Sequence, residues 1–204
     1  DKRWNDAYRR LLVTSRTDGT RLLATTLAAL QTPPACLLSG SAIGWYGNRG
    51  DEVLTEASPV GRGFLPDLCA EWEAAAAPAA EAGIRTAFLR TGIVLTAKGG
   101  ALAKLLPLFR FGVGGKMGSG RQHMSWITLA DEVGAIVHLL SSSASGPVNL
   151  TAPNPVTNAE LTRALASVLH RPAVVPVPAF GPKLLLGAEM AQNLLFDSQR
   201  VLPE

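Results

Sequence analysis

Two rhythms of apolar residues alternate along this chain. Between Asp6 and about Leu30, Leu11, Leu12, Leu22, Leu23 and Leu27 recur at the spacing of one helix face. Gln31-Thr32-Pro33-Pro34 ends that helix, because proline has no amide proton and its ring clashes with the preceding turn. Ala35–Ser39 then reads as a short strand covered on both faces. Gly47–Gly63 is a polar loop. Phe64 to about Ala82 is an Ala-rich helix, with a kink or early end predicted at Pro78. Thr86–Arg90 is a second buried strand, broken by Thr91-Gly92. Gly100 to about Phe111 is helical, and Gly112–Gly120 is a glycine-rich loop. Trp126–Leu129 reads as extended, Ala130–Leu140 as helix and Val148–Leu150 as strand. Asn158–Leu169 is a helix capped by Thr157 or Asn158. Pro172–Pro178 is extended, and Lys183 onward is helical again.

Strands alternating with helices predict an α/β fold, a parallel sheet with helices on both faces. Ligands of such sheets bind beyond the carboxyl ends of the strands. The first strand ends in Ser39-Gly40-Ser41, which puts two hydroxyls there; the same residues also suit a plain turn. A dinucleotide-binding member of this class opens with a strand and a glycine-rich phosphate turn. No such turn follows a strand here, and neither Gly112-Val113-Gly114-Gly115 nor Gly118-Ser119-Gly120 opens a helix after one. The expectation is a piece of a longer polypeptide whose first βαβ units lie upstream.

Size and charge narrow the function classes. The 204 residues suit one α/β domain, and the net charge is only +3. Arginines are scattered, which argues against nucleic acid as a partner. The densest basic cluster, Lys2, Arg3, Arg9 and Arg10, reads as a solvated helix face. No apolar run approaches the roughly 20 residues of a membrane span. The two cysteines, Cys36 and Cys69, form no disulfide framework, so a cytoplasmic setting is expected. His123, His138 and His170 are too dispersed for a metal site.

Six or more stretches in one order resemble the extended short-chain dehydrogenases/reductases, in particular their atypical epimerase-family branch. They are Asp1-Lys2-Arg3-Trp4, Ser15-Arg16 with Thr20, Ser39-Gly40-Ser41-Ala42 with Tyr46-Gly47, and Cys69 with Trp72-Glu73. Further on come Leu89-Arg90-Thr91-Gly92-Ile93-Val94-Leu95, Gly118-Ser119-Gly120-Arg121-Gln122 with Trp126-Ile127, and Asp131. The resemblance implies a Rossmann-like domain. Residues 1–170 would be its C-terminal part with substrate-side elements, and residues 171–204 the start of a small C-terminal module. It implies NADP, or NAD, as cofactor, with the first βαβ units missing and the site incomplete in this chain. It implies an oxidoreductase or epimerase acting on a small carbonyl or hydroxyl compound. The alternative is a catalytically degenerate dinucleotide sensor or interaction module.

The family's acid–base work uses a Ser, a Tyr and a Lys that lowers the Tyr pKa. Ser41 falls where the Ser belongs. The Tyr-x-x-x-Lys positions read Leu65 and Cys69, which have no phenol and no amine. Tyr46 is the nearest substitute, so Ser41 and Tyr46 are the candidate catalytic residues; Tyr46 as pocket wall or packing is the other reading. Cys69 is a core residue or a reactive thiol at a helix start. Ser39, Gly40, Arg90, Thr91, Gly92, Ile93 and Val94 are the candidate cofactor contacts. In the family the backbone matching Arg90–Val94 closes over the nicotinamide, with Gly92 allowing close approach; an ordinary strand-end turn is the other reading. Met124 stands where nucleotide-sugar members grip the diphosphate with Arg, so Arg121, Gln122 and Met124 are the candidate substrate contacts. Asp131 would cap a helix, and Glu52 and Glu56 read as solvated loop charges. The first strand would expose an edge, so self-association is expected.

Overall fold

A computed structural model describes residues 4–173 and 175–204; the sequence motif at positions 1 to 3 and the basic residues Lys2 and Arg3 lie outside them. Helix α1 (Asp6–Ala28) starts where the Asn5 side chain accepts the Tyr8 amide at 2.8 Å, which satisfies one orphan donor of the first turn. Arg9 on this helix is not simply solvated: it pairs with Glu189 and lies 5.4 Å from the Phe64 ring centroid.

The centre of the molecule is a parallel three-stranded sheet in the order β1 (Cys36–Ala42), β3 (Arg85–Thr91), β7 (Gly146–Leu150). The short β2 (Val53–Leu54) lies in the loop between β1 and the next helices, which is therefore not wholly irregular. Helix α2 (Phe64–Ala74) ends early and α3 (Ala77–Glu81) restarts with Pro78 in its first turn, where proline costs no hydrogen bond. After β3 come β4 (Ile93–Leu95), α4 (Gly100–Arg110), β5 (His123–Met124), β6 (Trp126–Thr128) and α5 (Leu129–Ser141). After β7 come β8 (Val156–Thr157), α6 (Asn158–Leu169), α7 (Phe180–Leu186) and α8 (Ala188–Ala191). A π turn at 192–196 and β9 (Arg200–Val201) follow, so the helical run expected from Lys183 ends in a strand.

Helices cover both faces of the sheet. Leu37 packs with Ala24 of α1 and with Ala76, Ala79 and Ile84, whereas its neighbour Leu38 packs with Leu89, Ile127 and Leu139 of α5. Adjacent strand residues point to opposite faces, so α1 and α3 lie on one side and α5 on the other. No helix among the described residues is long and apolar enough to cross a membrane.

One sequence expectation is corrected at the end of β1. Ser39, Gly40 and Ser41 do not form a turn; they continue the strand, opposite Phe88, Leu89 and Arg90. Ladder pairing with β3 outweighs the local turn preference of serine and glycine. The aromatic pair Trp45-Tyr46 sits beyond it in a 3₁₀ turn at 43–46.

Helix α6 carries a full capping box. The Thr157 side chain accepts the Glu160 amide at 3.2 Å, and the Glu160 carboxylate accepts the Thr157 amide at 2.7 Å. Thr157→Ala is expected to lower stability by about 1 kcal/mol in urea denaturation, and Thr157→Ser to retain most of it.

Candidate cofactor and substrate cleft

A cleft of about 330 Å³ opens at the carboxyl ends of β1 and β3, where an α/β sheet places its ligands. Ala42, Ile43 and Gly44 leave β1 along one side of it, and Gly92 and Ile93 join β3 to β4 along another. Helix α1 contributes Arg16, and α2 contributes Leu65, Cys69 and Trp72. His123, Met124 and Ser125 come from β5 and its end; Asn193, Asp197 and Gln199 come from the C-terminal arm. Leu65 and Cys69, one helical turn apart, both line it. The positions matched to the family's Tyr and Lys thus meet the cleft without phenol or amine.

Cys69 is an inert thiol. Burial pushes it up to about 11, the Glu73 carboxylate adds to this, and its Sγ–H points at the Ala42 carbonyl oxygen at 3.7 Å. At pH 8 only about 0.1 % of such a thiol is thiolate. Iodoacetamide is therefore expected to label Cys69 at least tenfold more slowly than glutathione, read by peptide mass spectrometry.

Behind the cleft runs a buried polar row. The register sets Ser41 beside Arg90, and Arg90 beside Asn149, across all three central strands. Glu73 reaches this row from α2. Arg90 donates to both Glu73 carboxylate oxygens, Nε at 2.9 Å and Nη2 at 3.0 Å, with the two side chains 3 % and 9 % exposed. Ser41 donates to Glu73 Oε1 at 2.6 Å. Arg90 also donates to the Tyr46 hydroxyl at 3.2 Å, and its guanidinium lies 3.8 Å from the Trp45 ring centroid. Tyr46 donates onward to Asn149 Oδ1 at 2.7 Å, and Asn149 donates to the Leu202 carbonyl at 2.9 Å. Tyr46 is fully buried, and burial pushes its phenol above the ordinary value while Arg90 and Asn149 pull partway back. It is not among the described residues lining the cleft. Removing its hydroxyl (Tyr46→Phe) leaves Asn149 Oδ1 and an Arg90 N–H short of a partner, so about 1–3 kcal/mol of stability should go in urea denaturation.

The remaining sequence candidates divide. Ile93 and Met124 line the cleft. Gly92 lies in its wall, but its close approach is to this chain: a Cβ there would meet the Ser125 carbonyl oxygen at 2.8 Å. Ser39 is buried with no partner for its hydroxyl among the described residues, and Gly40 lies under the Trp72 indole. Thr91 donates to Glu132 at 2.9 Å, and Val94 packs into the α5-side core. Gln122 is buried and donates to the Met117 and Leu195 carbonyls at 3.2 and 3.0 Å. Arg121 is exposed along a separate shallow groove with Asp51 and Ser119. Asp131 sits inside the first turn of α5, whose cap is Thr128. Exposed Glu52 pairs with Arg49, while Glu56 accepts the Asn149 amide at 2.8 Å and so braces β7. No group of metal-ligating side chains occurs among the described residues.

Sequence reasoning assigned no role to Arg16, Glu73 or Asp197. Glu73 has a visible signal, an acid in an Ala-rich helix beside Trp72; Asp197 has none, because its place depends on how the arm returns. That arm is well anchored. β9 pairs with β2, Ser198 donates to the Gly50 carbonyl at 2.6 Å, and Ser125 donates to the Gln199 carbonyl at 2.8 Å while accepting the Val201 amide at 2.9 Å.

Comparison with known proteins gives consistent likenesses. Residues 177–204 match the family model "Domain of unknown function (DUF1731)". The chain is 42 % identical over 203 residues to the epimerase family protein Mb2239 of Mycobacterium bovis, covering 99 % of this chain and 66 % of that protein. It is 35 % identical to mouse epimerase family protein SDR39U1, covering 99 % and 69 %. Its fold matches the crystal structure of human epimerase family protein SDR39U1 (isoform 2) with NADPH at a TM-score of 0.93 and 32 % identity, over 99 % of this chain and 68 % of that one. The chain thus spans about two thirds of the length of these relatives.

Proposed function

This chain belongs to the epimerase family of the extended short-chain dehydrogenases/reductases, and on that premise we propose that its cleft receives the nicotinamide end of NADPH together with a small carbonyl or hydroxyl compound. The observation that carries this reading is the cleft itself, at the carboxyl ends of parallel strands. Ala42, Gly44, Gly92 and Ile93 offer small, mostly apolar surface that fits a flat heterocycle. Arg16 is the cation on hand for a ribose hydroxyl or nearby phosphate, and it rests 5.3 Å from the Trp72 ring centroid. At about 330 Å³ the cleft is at the small end of ligand pockets, which run from about 300 to 1,000 Å³. It suits one end of a dinucleotide and a small partner. When bound, the dinucleotide supplies or takes a hydride; this chain's residues orient the two molecules and exclude water. Burial of Ser41 and Tyr46 in the polar row supports a role for both in holding the sheet, away from substrate.

NADPH at about 100 times its Kd should stabilise the protein by about 2.7 kcal/mol, a rise in Tm of roughly 5–10 °C. Human SDR39U1 serves as the positive control. A shift in the human protein and none in this chain joined to the upstream βαβ units of such a relative overturns the reading for this chain. The absence of phenol and amine at positions 65 and 69 favours a second reading, a dinucleotide sensor that binds without turnover. Loss of NADPH absorbance with a carbonyl compound separates the two. β1 forms one edge of the three-stranded sheet, and we propose that copies of this chain associate through it. A monodisperse monomer in sedimentation velocity would contradict that.

A further inference from the structure

The cleft lacks the usual proton donor, yet a carbonyl reduction needs one. Among the described residues lining it, the titratable side chains are Arg16, Cys69, His123 and Asp197. Arg16 never releases a proton, and Cys69 holds its proton up to about 11. His123 Nδ1 lies 3.5 Å from Asp51 Oδ1 and makes no hydrogen bond among the described residues. Asp197 differs from these three. It follows the π turn at 192–196, and its amide donates to the Gln192 carbonyl at 2.8 Å. Its Oδ1 accepts the Gln192 side-chain amide at 3.0 Å, while its other oxygen has no hydrogen-bond partner among the described residues. One oxygen of this carboxyl is held and the other is without a partner, on a residue that lines a mostly apolar cleft. The segment that carries it is clamped on both sides, by Gln192 before and by Ser198 and Gln199 after.

We infer that Asp197 is the acid–base residue of this cleft, delivered by the C-terminal arm in place of the phenol missing from α2. The inference rests on the dinucleotide reading above and assigns the arm, which belongs to a domain of unknown function, a catalytic task. In the reducing direction a hydride from the reduced nicotinamide forms the new C–H bond. The carbonyl π pair moves onto oxygen, and that oxygen takes the proton of the Asp197 carboxyl. The carboxylate left behind recovers a proton from water, which reaches this partly buried residue. Oxidation of an alcohol runs the same transfers backward.

The electrostatics agree with the geometry. Burial pushes the Asp197 carboxyl above its ordinary value, and the Gln192 bond pulls it partway back. None of Arg16, Cys69 or His123, the other titratable groups of the cleft, contributes to that shift. The same residue restricts the substrate. A nucleoside diphosphate needs cations, and Arg16 is the only lysine or arginine among the described lining residues. An uncharged carbonyl or hydroxyl compound fits this wall.

The test compares this protein with its Asp197→Asn and Asp197→Glu variants in two ways. The first is thermal melting without ligand. A carboxyl held above its ordinary pKa is costless below the unfolded value and increasingly costly as pH rises through the folded one. Asp197→Asn should therefore melt higher than the parent at pH 7 and no higher at about pH 3. A variant that melts lower at pH 7 shows a structural carboxylate and overturns the inference. The second is NADPH oxidation with 4-nitrobenzaldehyde as an uncharged probe, alongside NADPH affinity by calorimetry. Asp197→Asn should lose about 100-fold or more in kcat with the NADPH Kd unchanged, and Asp197→Glu should recover part of it. The parent's kcat should fall as pH rises through the Asp197 pKa, and the Asn variant should show no such step. NADPH binding without oxidation of the aldehyde, or with kcat unchanged in Asp197→Asn, overturns the role of Asp197 alone. No NADPH binding with the upstream βαβ units of a relative joined to the chain overturns the dinucleotide reading and this inference with it.

Discussion

Arg90→Ala should cost about 3–5 kcal/mol of folding stability, the largest loss expected from a single substitution here. The guanidinium is buried, and Glu73, its carboxylate partner, is buried with it. Removing one charge strands the other where water does not reach it. It also takes away the donor that Tyr46 accepts and the cation that stacks on Trp45. Against a total stability of about 5–15 kcal/mol, that loss lowers Tm by roughly 6–20 °C. The comparison that isolates the cause is the pair Arg90→Met with Glu73→Leu. Replacing both charges by apolar side chains of similar volume leaves no unpaired buried charge, only the Ser41 hydroxyl without its acceptor, and should recover much of the loss. If the double variant is as unstable as Arg90→Ala in urea denaturation, the ion pair is not what holds the row.

Gly92→Ala should loosen the joint between β3 and β4 and weaken NADPH binding about tenfold, a difference of roughly 1.4 kcal/mol. An added Cβ would stand 2.8 Å from the Ser125 carbonyl oxygen, 2.9 Å from the Thr151 methyl and 3.3 Å from the Leu150 carbonyl oxygen. Two of these are backbone atoms, which cannot rotate away as a side chain does. The same peptides are tied by hydrogen bonds, Gly92 N–H to the Leu150 carbonyl at 3.0 Å and Ile93 N–H to the Ser125 carbonyl at 2.8 Å. Relieving the clash means stretching those bonds, at about 1–3 kcal/mol, and shifting Ile93 and Ser125 where they line the cleft. Calorimetric titration with NADPH reads the affinity. Affinity equal to the parent's would remove this joint from the binding wall.

The alternation of strand and helix was legible because burial leaves a period in the sequence. Asn158–Leu169 carries its capping signals in the adjoining Thr157 and in Glu160, and the helix has those bounds. The end of β1 reads two ways in the sequence because serine and glycine speak for a turn locally. The partner strand that keeps Ser41 extended lies nearly fifty positions away. The chemistry was harder for the same reason. Ser41, Tyr46 and Arg90 stood out by type, and the structure does bring them together, joined through Glu73 in a row behind the cleft. Nothing in the sequence around Ser41 announces a carboxylate 32 residues later in the chain. Met124 could be found because a motif fixes its place, whereas Asp197 is set by a strand pairing that no local pattern encodes.

That pairing also sets an order of events during synthesis. Val53 meets Arg200, and Leu54 shares its apolar cluster with Ile43, Tyr46 and Val201. Contacts so far apart in the chain form late, because the intervening loop must be closed before they give anything back. On the ribosome, the stretch 43–54 emerges long before Val201 exists to cover it. Until then Leu54 and the neighbouring apolar side chains stay open to other chains, a window in which a chaperone is useful. The β1–β3–β7 sheet can assemble meanwhile from β-strands made earlier, so the cleft gains its last wall only after its floor is built.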